Sequence, residues 1–271
     1  MTILDTIIAH KYLEIKLRKS EMPVSLLEKS KLFQRDTISF VKRLNQSNTG
    51  IIAEYKRRSP SKAEINMVSS ILDVATGYED AGVCGMSVLT DGKFFGGSLD
   101  DLQSARGHCN LPILRKEFII DEYQILAAKA FGADAILLIA SVLSRKEIQK
   151  FSGFAQSLGL EVLLEVHNQE EIVKSIMPSI NMLGVNNRNL NNFEVNLSTS
   201  KQLAKKIPDD FVKVSESGIS SVEAILDLRQ YGFKGFLIGE SFMKTDGPGK
   251  TAKSFIKSLE NKSKTSTNIS S

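Results

Sequence analysis

Cysteine is scarce in this 271-residue chain: Cys84 and Cys109 are the only two, and neither belongs to a CxxC pair. With no histidine pair beside them, they offer neither the spacing of a structural zinc site nor a disulfide framework. Cys84, in the apolar approach to a strand, reads as a free buried thiol. Long apolar runs are missing too. No stretch is long enough to span a bilayer. Ile7-Ile8 is followed at once by His10, Lys11, Glu14 and Lys16, where a signal peptide would need an unbroken apolar core. The expectation is a cytoplasmic protein with no membrane partner. A block of one-signed charge is also lacking. The 35 Lys and Arg against 31 Asp and Glu leave a formal charge of +4, and Lys56-Arg57-Arg58 is the one tight basic run. That balance calls for a solvated basic surface with some affinity for anions, and demands no nucleic-acid partner.

At 42% hydrophobic and 24% charged residues, the composition is that of a globular protein able to bury a sizeable core. Its length fits one large barrel or two small domains. Residues 1–48 read as a helical extension. Leu4, Ile7, Ile8, Leu13 and Leu17 recur at helical spacing, Met22-Pro23 interrupts the pattern, and a second helix is expected from Ser25 to Leu44. From Ile51 the pattern changes to eight short apolar runs alternating with helical stretches. The runs are Ile51–Ala53, Met86–Leu89, Pro112–Leu114, Ala135–Ile139, Val162–Leu164, Met182–Val185, Phe211–Val214 and Phe236–Ile238. Their mean spacing of about 25 residues matches a (β/α)8 barrel of about 250 residues. Gly82, Gly132, Gly159 and Gly232 stand where left-handed helix terminators are expected. Strands alternating with helices imply a parallel sheet. A doubly wound open sheet competes, but no GxGxxG follows the first strand, which weakens its dinucleotide-binding form. The expected organisation is therefore an α/β protein, a TIM barrel over 49–260 behind the extension, with a disordered polar tail at 261–271.

Charged residues interrupt these strands at their C-terminal ends. Glu54 and Lys56 share a side with Ile52, Lys116 with Leu114 and Phe118, and Glu165 with Leu163; Asn186 and Arg188 pair in the same way. Each alone would suit a solvated strand exit. Together they would converge at the barrel mouth, where active sites are assembled from several strands, and could neutralise one another while supplying an acid and a base. Ser215-Glu216-Ser217-Gly218-Ile219 and Ile238-Gly239-Glu240-Ser241 follow the last two strands. Small residues there let backbone N–H groups approach an anion, and barrels frequently bind phosphate between these two loops. His167 has no partner at metal-ligand spacing and reads as a loop histidine. One phenylalanine of Phe94-Phe95, before the Gly96-Gly97 turn, is a candidate to line the mouth.

These segments resemble the indole-3-glycerol phosphate synthase family from about Leu4 to Leu259. The resemblance is carried by Ala53–Ser61 (AEYKRRSPS), Leu114–Phe118 (LRKEF), Leu163–His167 (LLEVH), Gly184–Leu190 (GVNNRNL), Ser215–Ile219 (SESGI) and Leu237–Ser241 (LIGES). It implies a small phosphorylated substrate, an anthranilate ring on a ribulose-like chain, closed to an indole with loss of carbon dioxide and water. No cofactor or metal is implied, because the amino nitrogen supplies the electrons. Under the resemblance Lys116 is the general acid for closure and Glu165 the general base. Lys56 binds the carboxylate or phosphate side and is a second candidate acid, Glu54 orients the lysines, and Asn186 positions a substrate hydroxyl. Ser59, Ser217, Gly218, Gly239 and Glu240 surround the phosphate, Arg188 shapes the site, and Glu216 and Phe118 complete the substrate contacts. Where the family usually has glycine this chain has Ala63, which predicts a stiffer loop. A phosphoribosylanthranilate isomerase-like barrel would need a Cys/Asp or Asp/Asp pair instead of this Lys/Glu set. A non-catalytic phosphate-binding barrel would not need Lys116 and Glu165. A monomer is expected.

Overall fold

The computed structural model describes residues 2–190 and 192–269, the last four by backbone alone. Strands β1 (Ile51–Tyr55), β2 (Gly85–Leu89), β3 (Ile113–Lys116), β4 (Ala135–Ile139), β5 (Glu161–Val166), β6 (Met182–Asn186), β7 (Val212–Glu216) and β8 (Phe233–Ile238) pair in parallel and in order, and β8 closes on β1. Ahead of them lie α1 (Ile3–Glu21), α2 (Val24–Leu27) and α3 (Phe40–Gln46). The outer ring comprises α4 (Ile71–Ala81), α5 (Gly92–Phe95), α6 (Leu99–His108), α7 (Glu122–Ala130), α8 (Arg145–Ser157) and α9 (Gln169–Ser175). It continues with α10 (Ser198–Ala204), α11 (Val222–Arg229), α12 (Glu240–Met243) and α13 (Pro248–Ile269). This is the expected (β/α)8 barrel with an N-terminal helical extension. The four glycines read as terminators all have positive φ, between 73° and 90°.

Two apolar cores follow from the alternation of side chains along each strand. Ile52, Leu114, Leu137, Leu163, Met182, Val212, Val214 and Leu237 pack inside the barrel. Ile51, Ala53, Tyr55, Val88, Ile113 and Ile136 face outward against the helices. Phe40 and Leu44 of α3 join the inner cluster and close the N-terminal end, so the interior is open only at the opposite mouth.

The Ser25–Leu44 helix does not form. Residues 28–39 are drawn along the barrel's N-terminal edge by side-chain bonds that compete with helical ones. Arg35 reaches Asp134 at 2.7 Å, Ile38 N donates to Asp134 at 2.7 Å, and Thr37 Oγ1 donates to the Gly159 carbonyl at 2.6 Å. Glu161 then receives the Phe40 and Val41 N–H groups at 2.7 and 3.1 Å, an anion at the start of α3. The tail expected to be disordered from Asn261 instead continues α13 through Ile269, where Arg229 bonds Ser263 Oγ at 3.2 Å and Lys262 pairs with Glu223. Residues 270–271 of that expectation lie outside the described residues.

The buried stripe of α1 also differs from the expected one. Ile7, Lys11 and Ile15, at a spacing of four, face the barrel, whereas Leu13 and Leu17 are exposed. Lys11 is 1% exposed and meets Glu14, Asp91 and Glu117 at 2.8, 2.9 and 3.0 Å. Burial opposes its charge, but Glu117, Asp91 and Glu14 outweigh burial and raise its pKa above the ordinary lysine value. A raised lysine pKa gives a contribution fully present at neutral pH and lost only as pH rises through the folded-state value. Lys11→Met leaves Asp91 buried without its cation and Glu117 with Arg115 alone, at 3.4 Å, and is expected to cost about 3–5 kcal/mol at pH 7. Urea unfolding of the two proteins measures it; a change under 1 kcal/mol would show that the cluster does not hold α1.

Candidate active site

The inner faces of the strands turn from apolar to charged at the mouth because each strand places its last inward position there. A cavity of about 360 Å³ opens at that end, and every residue to which the resemblance gave a site role borders it: Glu54, Lys56, Ser59, Lys116, Phe118, Glu165, Asn186, Arg188, Glu216, Ser217, Gly218, Gly239 and Glu240. Ile3, Leu4 and Ile7 of α1 contribute to its wall, as do Leu137 and Ile139. Phe95 and Phe118, with ring centroids 5.9 Å apart, form an aromatic side suited to a planar ring.

Lys116 occupies the charged floor. Its Nζ bonds to Glu216 Oε2 and lies 3.5 Å from Glu165 Oε2. Lys56 Nζ bonds to Glu54 Oε1 at 2.6 Å. Burial would push Lys116 toward neutrality, but Glu216, Glu165 and Glu54 prevail and raise its pKa. Burial likewise opposes ionisation of Glu54, yet Lys56 and Lys116 hold its carboxyl below the ordinary value. Glu216 goes the other way. Burial, helped by the negative charges of Glu165 and Glu54, outweighs Lys116 and pushes it up to about 7. Three carboxylates against two ammonium groups leave one negative charge in excess, and a proton on Glu216 near neutral pH removes it.

At the other side of the mouth Ser217 and Gly218 follow β7 with φ of 67° and 77°. Asn187, 2% exposed, fastens this turn. Its Nδ2 donates to Ser215 Oγ, the Glu216 carbonyl and the Ser217 carbonyl at 3.0, 2.9 and 3.1 Å. Gly239 is small because a Cβ there would lie 2.6 Å from Glu54 Oε1. The Glu240 carboxylate is engaged by Lys62 at 2.9 Å, so its backbone is the part left to face a ligand. Asn186 Oδ1 accepts from Arg188 N at 3.0 Å, and Arg188 Nη1 donates to the Phe193 carbonyl at 3.0 Å. The loop after β1 is anchored by Arg57, which grips both Asp101 oxygens at 2.7 Å, and Ser59 pairs with Lys62 within it. Outside glycine, only Phe193 and Ser217 among the described residues have positive φ. Ala63 therefore sits in ordinary backbone, and no strained conformation underlies the expected stiffening.

The sequence reading missed Asn187 as a clamp and Lys11 as the anchor of α1. The signal for Lys11 was its place between Ile7 and Ile15 at turn spacing; Asn187 had none beyond its neighbours.

A family model described as indole-3-glycerol phosphate synthase matches residues 4–255. The indole-3-glycerol phosphate synthase of Bacteroides thetaiotaomicron is 47% identical over 258 residues, covering 95% of this chain and 99% of its own length. That of Campylobacter jejuni subsp. doylei is 40% identical over 258 residues, with 94% and 100% covered. Among solved structures, thiamine phosphate pyrophosphorylase from Pyrococcus furiosus superposes with a TM-score of 0.60 at 13% identity, covering 82% of this chain and 98% of its own. That likeness concerns the barrel fold alone.

Gly184 lies on the inner face of β6, where a Cβ would stand 2.2 Å from Glu216 Oε1. Gly184→Ala is therefore expected to turn Glu216 away from Lys116 and to cost about 1–3 kcal/mol by overpacking. Denaturant unfolding tests the cost, and an unchanged midpoint would mean that the floor has slack.

Proposed function

The chain belongs to the indole-3-glycerol phosphate synthase family, and on that premise we propose how its own residues perform the family's decarboxylating ring closure in tryptophan biosynthesis. The substrate is 1-(2-carboxyphenylamino)-1-deoxy-D-ribulose 5-phosphate; the products are indole-3-glycerol phosphate, carbon dioxide and water. The observation that carries the assignment of roles is the Lys116 ammonium at the cavity floor, held between Glu165 and Glu216 with Glu54 beyond.

The phosphate is held by the loops after β7 and β8, Ser217-Gly218 and Gly239-Glu240, with Ser59, Lys56 and Arg188 around it. The anthranilate ring lies against Phe95 and Phe118. Lys116 gives its proton to the ketone oxygen as the ring carbon bearing the carboxylate attacks the carbonyl carbon. The C–C bond forms, the C=O pair becomes a hydroxyl, and positive charge collects on the amino nitrogen. Carbon dioxide leaves and its bonding pair restores the benzene ring. Loss of the hydroxyl as water, with an acid to protonate it and Glu165 to take the departing proton, completes the indole. Lys56 is the acid for that step, supported by its 2.6 Å bond to Glu54, which orients it toward the cavity. Asn186 positions a substrate hydroxyl. The two free cysteines suit the reducing cytoplasm.

A positioned general acid typically contributes about 10²–10⁴-fold. Incubation with the substrate is expected to generate indole fluorescence without added cofactor, and Lys116→Ala to slow turnover by about that factor. Full turnover by Lys116→Ala would move the acid role elsewhere. An inactive, folded wild-type protein would overturn the reaction itself.

A further inference from the structure

Glu165 has a second basic neighbour, His167, outside the cavity lining. Two residues on, at the end of β5, the ring of His167 lies with Nε2 3.4 Å from Glu165 Oε1, the oxygen not facing Lys116. The other ring nitrogen, Nδ1, is 3.3 Å from Glu171 Oε2, which also receives the His167 backbone N–H at 2.8 Å. Glu171 is itself fixed: Asn168 Nδ2 donates to its Oε1 at 3.0 Å and Asn168 Oδ1 accepts its N–H at 2.8 Å. The ring is thus held by a carboxylate at the start of α9, with a buried Nε2 that has no hydrogen-bond partner and lies within ion-pair distance of the proposed base, while its side chain keeps 15% exposure.

We propose that His167 is a positioning residue for Glu165, an imidazolium fixed by Glu171 that balances the charge of the base and holds it in place when Lys116 gives up its proton. This rests on the reading of Glu165 as the base. It explains a pairing that Lys116 alone leaves incomplete. Once Lys116 donates to the ketone, the cation at Glu165 Oε2 is spent, and the cation at Oε1 remains.

The charged groups facing His167 are Glu165 on β5, Glu171 on α9 and Glu216 on β7, with Lys116 of β3 reaching it through Glu165. Burial works against the imidazolium, but the Glu171 hydrogen bond and these carboxylates outweigh it and raise the His167 pKa. The cation is therefore present throughout the acid range and is lost as pH rises through that raised value. The acidic limb of the activity profile is where its removal is felt.

Two measurements on the full chain test this. In the first, kcat/KM for the ribulose phosphate substrate is followed against pH for wild type, His167→Gln and His167→Lys. An opposite charge at this range moves a carboxylate by about one unit or more. His167→Gln is thus expected to move the acidic limb up by about one pH unit, about tenfold in rate below it, and His167→Lys to bring the limb back. An unmoved limb in folded His167→Gln, or a limb still displaced in His167→Lys, overturns the proposal. In the second, which needs no turnover, the imidazole resonances are titrated by NMR; the chain has three histidines to assign. The His167 titration is expected to fall in Glu165→Gln, and an unchanged one overturns the pairing even if the His167 variants fail to fold. Absence of turnover with the NMR coupling intact would count against the reaction and not against the pair.

Discussion

An ammonium group buried among carboxylates holds the mouth of this barrel together. Lys116 is 13% exposed, while Glu165 and Glu216 are 5% and 1% exposed at their side chains. Charges so far from water persist only where they neutralise each other. The cluster nearly achieves this with Lys56 and Glu54, and a proton shared onto Glu216 closes the difference. Its residues come from β1, β3, β5 and β7, so only the closed barrel assembles it. A phosphorylated substrate brings further negative charge, and in the proposed reading the second lysine, Arg188 and the backbone of two loops meet it.

The fold was legible because parallel barrel strands buried on both faces leave continuous apolar runs, and because period two carries each strand's last inward residue to the mouth. Glu54, Lys116, Glu165 and Asn186 could be placed from that period alone. The roles assigned to them came from the resemblance, since spacing does not tell an acid from a base. The left-handed glycines were equally visible, because a missing Cβ is a property of the residue itself.

What was not legible depends on distant partners. The stretch 28–39 has helix-like apolar spacing, and nothing local announces that Asp134, Gly159 and Glu161 will draw its polar groups away. Lys11 sits in an apolar stripe, but its destination, Asp91 and Glu117, lies some 80 and 106 residues on. His167 gave no metal signal and was set aside as a loop residue; its meaning lies in the carboxylates on either side of it. The polar tail shows the converse. Composition alone suggested disorder, whereas α13 runs on through Ile269, with Lys262 and Ser263 meeting Glu223 and Arg229 of α11.

Strand β3 joins the two buried charge clusters. Alternation sends Arg115 and Glu117 outward and Lys116 inward. On the outer side Arg115 bonds Thr90 and the Gln124 carbonyl at 3.0 and 2.6 Å, and Glu117 receives Lys11 of α1. On the inner side the next residue is the proposed acid. The ion pair that docks α1 therefore grips the residue adjacent to Lys116, and one turn before Lys11 on the same helix Ile7 borders the cavity. The extension is consequently tied to the barrel at the backbone that positions the acid. Its anchoring energy and the shape of the cavity share an origin in three successive residues, Arg115-Lys116-Glu117.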